Sequence, residues 1–139
     1  MVLLDTHVWI WTLEGDTHRI GRRSRALLEK ARAADAVRVS PISVFEVSAL
    51  HASGHLHLTR PLGQWLSAAI EEAGIRLAPL SREAAVEAGR LSCDAIPDPL
   101  DRLIVATARE ANVALVTADR RILDYADSAG SPAVHDARR

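Results

Sequence analysis

Residues 1 to 6 read Met-Val-Leu-Leu-Asp-Thr, an apolar run that ends at the carboxylate of Asp5. The consecutive aliphatic residues Val2, Leu3 and Leu4 predict a short strand that is buried on both faces. A carboxylate beside a buried element costs free energy unless it is paired, hydrogen-bonded or bound to a metal ion. Asp5 therefore predicts a partner or a ligand at the end of the first strand.

Further acidic residues stand where other apolar segments begin or end. In an open parallel sheet the carboxyl ends of all strands face one crevice, which is where ligands bind. Acids that follow strands are therefore expected on the same rim, and one acidic pocket is predicted. Its members are Asp5, Glu46 (after 37–41, early in a helix), the pair Asp98 and Asp101 (opening the apolar helix 100–111) and Asp119 (after 114–117).

Short apolar segments alternate along the chain with segments of helical periodicity. This alternation predicts an α/β fold, with a parallel sheet of four to five strands and helices on both faces. The length of 139 residues suits a single domain spanning 1–139. We expect strands at 1–5, 37–40, 75–80 and 114–117, with an edge strand at 133–135. We expect helices at 8–13, 21–34, 43–54, 61–74, 81–91, 100–111 and 119–126, the third of them capped by Ser43.

The composition is that of a globular protein, with 48% hydrophobic and 25% charged residues. No apolar run approaches the ~20 residues of a membrane span, and no basic segment of a signal peptide precedes the first strand. The single cysteine, Cys93, excludes an internal disulfide and a cysteine metal site and fits a reducing cytoplasm. The net charge of −1 offers nucleic acid no bulk attraction, although arginines cluster at 22, 23 and 25 and at 120 and 121.

Each acid, taken alone, also has a structural explanation. Ser43-Val44-Phe45-Glu46 fits a capping box, in which Glu46 reaches back to the Ser43 amide. Asp98 fits a helix N-cap, with Pro99 in the first turn and Asp101 stabilised by the helix dipole. Asp119 fits a turn that caps the last helix. These explanations stay open for the single acids, but they do not account for several acids falling on one rim.

Several carboxylates in one pocket repel one another, and some take up protons unless a cation is present. Hard oxygen ligands without cysteine or a histidine cluster select Mg²⁺ or Mn²⁺ over Zn²⁺. One or two such ions would lower the pKa of a bound water and neutralise charge on a pentavalent phosphate. Hydrolysis of a phosphodiester is the reaction class that follows. Thr6 and Thr117 flank the acids, where they either orient a ligand or water or serve the strand ends structurally.

Other side chains give weaker signals. The histidines at 51, 55 and 57 are separated by the helix breaker Gly54 and are expected on the solvated surface. His7 is a possible neighbour of the acids, but a structural role facing its helix is preferred. The tryptophans at helical positions are expected in the core or at a subunit interface, and these are Trp9, Trp11 and Trp65.

Four short segments appear in order and at characteristic spacing. They are 3–9 (Leu-Leu-Asp-Thr-His-Val-Trp), 40–47 (Ser-Pro-Ile-Ser-Val-Phe-Glu-Val), 98–108 (Asp-Pro-Leu-Asp-Arg-Leu-Ile-Val-Ala-Thr-Ala) and 115–119 (Leu-Val-Thr-Ala-Asp). Together they strongly resemble the PIN-domain ribonucleases, in particular the VapC toxins of bacterial toxin–antitoxin pairs. The resemblance extends over nearly the whole chain.

This resemblance implies that a metal-binding acidic quartet carries catalysis, with Asp98 as an additional acid and Thr6 and Thr117 as supporting hydroxyls. It implies Mg²⁺- or Mn²⁺-dependent endonucleolytic cleavage of RNA by a homodimer, neutralised by a small VapB-type antitoxin. The quartet that it implies is Asp5, Glu46, Asp101 and Asp119.

An acidic cleft also offers a way to inhibit such an enzyme, because an arginine from a partner can fork onto two carboxylates. We expect the antitoxin to direct an arginine at the quartet while its helix lies across the early helices of this chain. The apolar surface expected there, unless it is core or dimer interface, consists of Trp9, Ile10, Leu13, Leu27 and Leu28.

Two non-catalytic alternatives remain. A receiver-like signalling module also gathers acids around Mg²⁺, but it depends on a lysine after a late strand. The only lysine here is Lys30, in an early helix. A PIN module that only binds RNA or a protein partner would carry the same acids as a nuclease. Metal-dependent cleavage of RNA separates both alternatives from the enzyme.

Overall fold

Five strands form the sheet of this protein, whose computed structural model describes residues 1–139. The strands are β1 (Val2–Leu4), β2 (Val37–Val39), β3 (Arg76–Leu77), β4 (Ala114–Thr117) and β5 (Val134–Asp136). Their spatial order is β3-β2-β1-β4-β5 and every pairing is parallel, so the first strand lies at the centre of the sheet. The predicted α/β fold with a parallel sheet is confirmed.

Two strands differ from the expected boundaries. The third strand was expected at 75–80, but only Arg76 and Leu77 pair with β2. Pro79 has no amide hydrogen with which to continue the ladder, so the strand stops before it. The edge strand was expected at 133–135 and lies one residue later, at Val134–Asp136.

Seven helices surround the sheet: α1 (Thr6–Leu13), α2 (Arg22–Ala33), α3 (Pro41–Ala52), α4 (Leu62–Ser67), α5 (Arg82–Arg90), α6 (Pro99–Ala111) and α7 (Arg120–Ala129). A 3₁₀ turn at Thr17–Arg19 precedes α2, and a π-helical turn at Ala68–Glu72 continues α4. The last helix begins one residue later and ends three residues later than expected. It ends where Gly130 adopts the left-handed conformation, at φ 72°.

The start of α3 corrects the predicted capping box. Ser40, not Ser43, is the N-cap, and its hydroxyl accepts a hydrogen bond of 3.0 Å from the Ile42 amide. Pro41 takes the first helical position, where a missing amide hydrogen costs nothing. Because the helix starts earlier than expected, Ser43 and Glu46 lie inside it, and their side chains are available for contacts with other elements.

The core lies on both faces of the sheet, because successive residues of the central strands point to opposite sides. Leu4 and Val116 belong to the larger cluster, which also includes Val8 and Trp9 of α1, Val47 of α3 and Trp65 of α4. Leu3 and Leu115 belong to a second cluster with Ile104 of α6 and Ile122 of α7. The predicted covering of both faces by helices is therefore confirmed.

One edge of the sheet collects the carboxyl ends of all strands. Asp5 directly follows β1, Thr117 ends β4, and Leu4 pairs with Val116 one step before them. The same edge leads from β2 through Ser40 into α3. Polar residues from distant parts of the chain are thereby placed side by side.

No helix in the structure has the length and apolar character needed to cross a membrane.

Candidate functional site

Five carboxyl groups line one cavity of about 390 Å³ at the carboxyl edge of the sheet. The acidic pocket predicted from the strand ends therefore exists as a geometric feature. Trp11, His7 and Ala118 complete its lining. The five acids are Asp5, Glu46, Asp98, Asp101 and Asp119.

Asp5 is the most deeply placed of these acids, with a relative exposure of 7%. Its Oδ1 accepts a hydrogen bond of 2.8 Å from the Thr6 amide at the start of α1. Its Oδ2 accepts a bond of 2.6 Å from the hydroxyl of Thr117. The same Thr117 hydroxyl accepts a 3.0 Å bond from the amide of Asp119. Thr117 thus joins two of the acids, and Asp5 is held in a fixed orientation.

Glu46 is held by a chain of two hydroxyl groups, of which Thr6 was expected to support the site and Ser43 was not. The Thr6 hydroxyl donates to Glu46 Oε1 at 2.7 Å and lies 2.8 Å from the Ser43 hydroxyl. Because the single Thr6 proton goes to Glu46, Ser43 is the donor to Thr6. Thr6 and Ser43 are both buried. The predicted reach of Glu46 back to the Ser43 amide is therefore wrong, and the carboxyl group instead faces α1.

Asp98 and Asp119 have the structural roles that were considered for them. Asp98 Oδ1 caps α6 by accepting from the Leu100 amide at 2.8 Å. Asp119 Oδ1 caps α7 by accepting from the Arg121 amide, also at 2.8 Å. Both residues nevertheless line the cavity. A capping role and a place in the acidic cavity are compatible, since capping uses one oxygen of each carboxylate.

The electrostatics of the cavity favour protonated acids. Burial raises the pKa of Asp5, against the hydrogen bonds from Thr117 and Thr6. Burial likewise raises the pKa of Glu46, and the charges of Asp5 and Asp98 add to the effect. Burial, together with the charges of the four other acids, raises the pKa of Asp101 to about 8. Without a cation, Asp101 therefore keeps its proton at neutral pH.

The donor set of the cavity suits a hard divalent cation, since it consists of carboxylate oxygens and contains no thiol. No group of three or more His, Cys, Asp or Glu side chains is already arranged to hold a metal ion. The acids share a cavity without closing on one point, as expected of groups that repel one another. Binding a cation would require their side chains to draw closer together.

Two residues of the cavity were assigned elsewhere from the sequence. His7 was expected to face its helix, but it is exposed and lines the cavity. Trp11 was expected in the core or at an interface. It is half-buried, packs against the larger core cluster and also lines the cavity. Their ring centroids are 6.5 Å apart, and the Arg19 guanidinium lies 5.6 Å from the Trp11 ring. The four-residue spacing between positions 7 and 11 of α1 is the signal that could have placed both side chains on one face.

The remaining sequence assignments of aromatic, histidine and cysteine side chains agree with the structure. Trp9 and Trp65 are fully buried core residues in edge-to-face contact, with centroids 5.1 Å apart. The histidines at 51, 55 and 57 are exposed. Cys93 is an exposed free thiol.

Comparison with known proteins identifies the family. The model of the PIN domain matches residues 2–128. Ribonuclease VapC22 of Mycobacterium tuberculosis is 36% identical over 124 residues, which cover 89% of this chain and 91% of the relative. A chain in the crystal structure of VapBC2 from Rickettsia felis, bound to a DNA fragment from their promoter, has a TM-score of 0.67 at 15% identity and coverage of 98% of both chains. A chain of a toxin–antitoxin complex from Klebsiella pneumoniae has a TM-score of 0.59 at 20% identity, over 99% of this chain and 98% of that chain. Since the family match and the VapC relative each cover most of its length, the chain belongs to the PIN-domain family.

Proposed function

We propose that this PIN-domain protein is a metal-dependent endoribonuclease of the VapC type and acts as the toxin of a toxin–antitoxin pair. The observation that carries the proposal is the gathering of five carboxyl groups in one cavity, in a chain 36% identical to Ribonuclease VapC22. The catalytic quartet would be Asp5, Glu46, Asp101 and Asp119, with Asp98 as a further ligand of the cation.

The proposed roles follow from how each side chain is held. Asp5, anchored through both oxygens, gives the site a fixed centre. Thr6 and Thr117 keep Glu46 and Asp119 in place around it. Asp101 carries a proton at neutral pH and would release it when positive charge enters the cavity. A bound Mg²⁺ or Mn²⁺ would supply Lewis-acid stabilisation of the negative charge on the phosphate oxygens.

Cleavage of RNA by purified variants tests this proposal. Asp5→Asn and Asp101→Asn should each lower the rate of cleavage by more than about a hundredfold in Mg²⁺ or Mn²⁺. Circular dichroism should show an unchanged fold, because Asn occupies nearly the same volume as Asp. Asp94→Asn is the matched control, since Asp94 is an exposed loop acid outside the cavity. Near wild-type activity in both cavity variants would refute the assignment.

Metal binding has a readout that does not depend on catalysis. A cation that binds only the folded state stabilises it by mass action. We expect millimolar Mn²⁺ to raise the melting temperature of the wild type at neutral pH, and Asp101→Asn to reduce that rise. An unchanged melting curve for the wild type would count against the cation.

The alternative of a non-catalytic PIN module is tested by the same cleavage assay, because such a module would bind RNA without shortening it. The receiver-like alternative has less support. Lys30 is exposed on α2, in the first half of the chain, and no other lysine is available to contact a phosphoryl group.

We propose a VapB-type antitoxin as the partner that inhibits the site by placing an arginine among its acids. The expected docking surface needs correction, because Trp9 and Ile10 are buried in the core and cannot contact a partner. Leu13, Leu27 and Leu28 pack against that core but are half-buried, so they stay part of the expected surface. Phe45, which is 59% exposed and directly precedes Glu46, adds an apolar side chain suited to contact the partner.

Co-expression tests the partner. A VapB-type protein encoded beside this chain should restore growth of cells that express it, and an Arg→Ala change in the inserted arginine should weaken the rescue. Rescue by a partner that leaves RNA cleavage unaffected in vitro would refute inhibition at the acids. The homodimer implied by the family stays a prediction, for which sedimentation of the purified chain is the measurement.

A further inference from the structure

Three arginine side chains line a concavity of about 500 Å³ that no other residue contributes to. They are Arg22 and Arg23, in the first turn of α2, and Arg139, and all three are exposed. The ion pairs of the chain involve other arginines, namely Arg76, Arg109, Arg120 and Arg138. The arginine cluster Arg22/Arg23/Arg139 takes no part in these ion pairs and presents three positive charges at the surface.

The backbone holds these arginines together. The Ser24 amide donates a 2.8 Å hydrogen bond to the Arg139 carbonyl oxygen, and the Gly21 amide donates one of 2.8 Å to the Ala137 carbonyl oxygen. A Cβ atom at Gly21 would lie 2.1 Å from the backbone carbon of Arg139. Only glycine permits this approach. Like charges are thus brought together by main-chain contacts, and a polyanion would relieve their repulsion.

The arginine cluster is continuous with the edge of the sheet that carries the acids. A second concavity, of about 660 Å³, shares Arg23 and Arg139 with the cluster and extends to Arg120. It also contains the carboxyl groups of Asp127 and Asp136, and its three arginines outnumber them. Arg120 is the residue after Asp119 of the acidic cavity. The chain beyond β5 runs along the same edge, since the Ala137 amide donates to the Thr117 carbonyl oxygen at 2.8 Å. The two concavities together form the basic groove, which runs from the cluster to Arg120, the sequence neighbour of Asp119 in the acidic cavity.

We infer that the arginine cluster binds the phosphate groups of an RNA strand whose cleaved bond lies in the acidic cavity, an inference that rests on the proposed function. The acids of the cavity repel a polyanion, and the net charge of −1 supplies no general attraction. Affinity for RNA must then come from a local positive surface on the same edge. Guanidinium groups suit this role because they bind phosphate oxygens in pairs.

Binding measured in EDTA tests the inference without cleavage. Fluorescence anisotropy of a labelled single-stranded RNA should show that Arg22→Ala/Arg23→Ala raises Kd by about tenfold or more at low salt. The slope of log K against log salt should become shallower by about 1.4, which corresponds to two lost phosphate contacts on a single strand. Arg22→Lys/Arg23→Lys should retain the slope.

The matched control is Arg82→Ala/Arg90→Ala, which removes two exposed arginines of α5 that line neither the basic groove nor the acidic cavity. In Mn²⁺, the cluster variant should raise KM for a long RNA while kcat stays within about twofold of the wild type. The inference would be overturned if Arg22→Ala/Arg23→Ala and Arg82→Ala/Arg90→Ala had equal RNA affinities and equal salt slopes. If the wild type also cleaved RNA, the nuclease assignment would still stand.

Two other outcomes are informative. In the first, poly-glutamate binds the wild type more tightly than RNA does and no longer binds the cluster variant, while the cluster variant keeps the wild-type KM for RNA. This result would assign the cluster to an acidic protein partner and overturn the inference. RNA binding that depends on the cluster in a wild type unable to cleave RNA would support phosphate binding by the cluster, but it would refute the nuclease assignment and with it the placing of a cleaved bond in the acidic cavity.

Discussion

The Thr117 hydroxyl donates a hydrogen bond of 2.6 Å to Asp5 Oδ2, between residues that lie 112 positions apart in the chain. The parallel pairing of β1 with β4 brings them face to face at the carboxyl edge of the sheet. Both residues are buried, so water cannot replace the bond. It also stabilises the ionised form of Asp5 against the burial that raises the pKa of this group.

Thr117→Val should therefore weaken both the fold and the site. It leaves Asp5 and the Asp119 amide without their shared partner, which should lower the free energy of unfolding by about 1–3 kcal/mol. The pKa of Asp5 should rise further, so the acid side of the pH–activity profile should move to higher pH. Thr117→Ser, which keeps the hydroxyl, is the control. Urea denaturation and a pH profile of RNA cleavage are the measurements, and identical profiles for the two variants would refute the role of the bond.

Asp101 should make the cation-free protein less stable as the pH rises. Its pKa is near 3.8 when unperturbed and about 8 in the fold, so the folded state binds the extra proton between these values. Stability is then highest at the acid end of this window and falls as the pH rises through about 8. The raised pKa values of Asp5 and Glu46 act in the same direction.

Asp101→Asn should flatten this fall and make the protein more stable than the wild type by an amount that grows as the pH rises and is largest above about pH 8, because the amide stays neutral. Urea unfolding in EDTA across pH 5 to 9 is the measurement, with Asp94→Asn as the exposed control. A wild-type curve that rises with pH through this range would contradict the prediction.

Trp11 should contact a base of the RNA substrate. It is the half-buried tryptophan of the acidic cavity, whereas Trp9 and Trp65 are fully buried, with their indole N–H groups donating to Ala69 O and Glu14 Oε1. Stacking of one base on an aromatic ring contributes about 1–3 kcal/mol. Single-stranded RNA should quench tryptophan fluorescence in EDTA, and Trp11→Phe should abolish the quenching while retaining most of the affinity. Trp11→Ala should weaken binding by about fivefold or more. Undiminished quenching in Trp11→Phe would show that the base lies elsewhere.

Gly21 should be sensitive to a single added methyl group. Its Cβ would fall 2.1 Å from the Arg139 backbone carbon and 2.3 Å from the Arg139 oxygen. Gly21→Ala should therefore displace the segment after β5 from α2 and lower the free energy of unfolding by about 1–3 kcal/mol. Gly63→Ala is the control, because a Cβ there meets nothing within 4 Å in a helix of its own. That variant should be neutral or slightly more stable, and equal stability of the two would refute the close approach.

Much of the site could be predicted because its acids follow apolar segments. Asp5 directly follows β1, and Asp119 lies two residues after the end of β4. Parallel strands bring such positions to one edge of the sheet, whatever the order of the strands in space. Asp98 and Asp119 were also correctly recognised as caps, since capping depends on the residues immediately following. Both properties depend on the local sequence.

The supporting contacts could not be predicted in the same way. Ser43 was taken for a cap, and only the packing of α1 against α3 shows that it donates to Thr6, which in turn holds Glu46. His7 was expected to face its helix and Trp11 to lie in the core or at an interface. Their place in the cavity depends on which face of α1 the sheet covers. The arginine cluster joins Arg22 and Arg23 to Arg139, which is more than a hundred positions away. The pattern of residues near each of them does not predict that they are close in space.

The sequence by itself determined the class of the fold, the parallel sheet and the meeting of the acids, because the period of apolar residues and the polarity of parallel strands are properties of short segments. The tertiary structure alone decided the order of the strands, the hydroxyl groups that orient Asp5 and Glu46, and the basic groove that runs from the arginine cluster to Arg120. These features depend on contacts between side chains and backbone groups far apart in the chain, and such contacts form only when the sheet and its covering helices pack together.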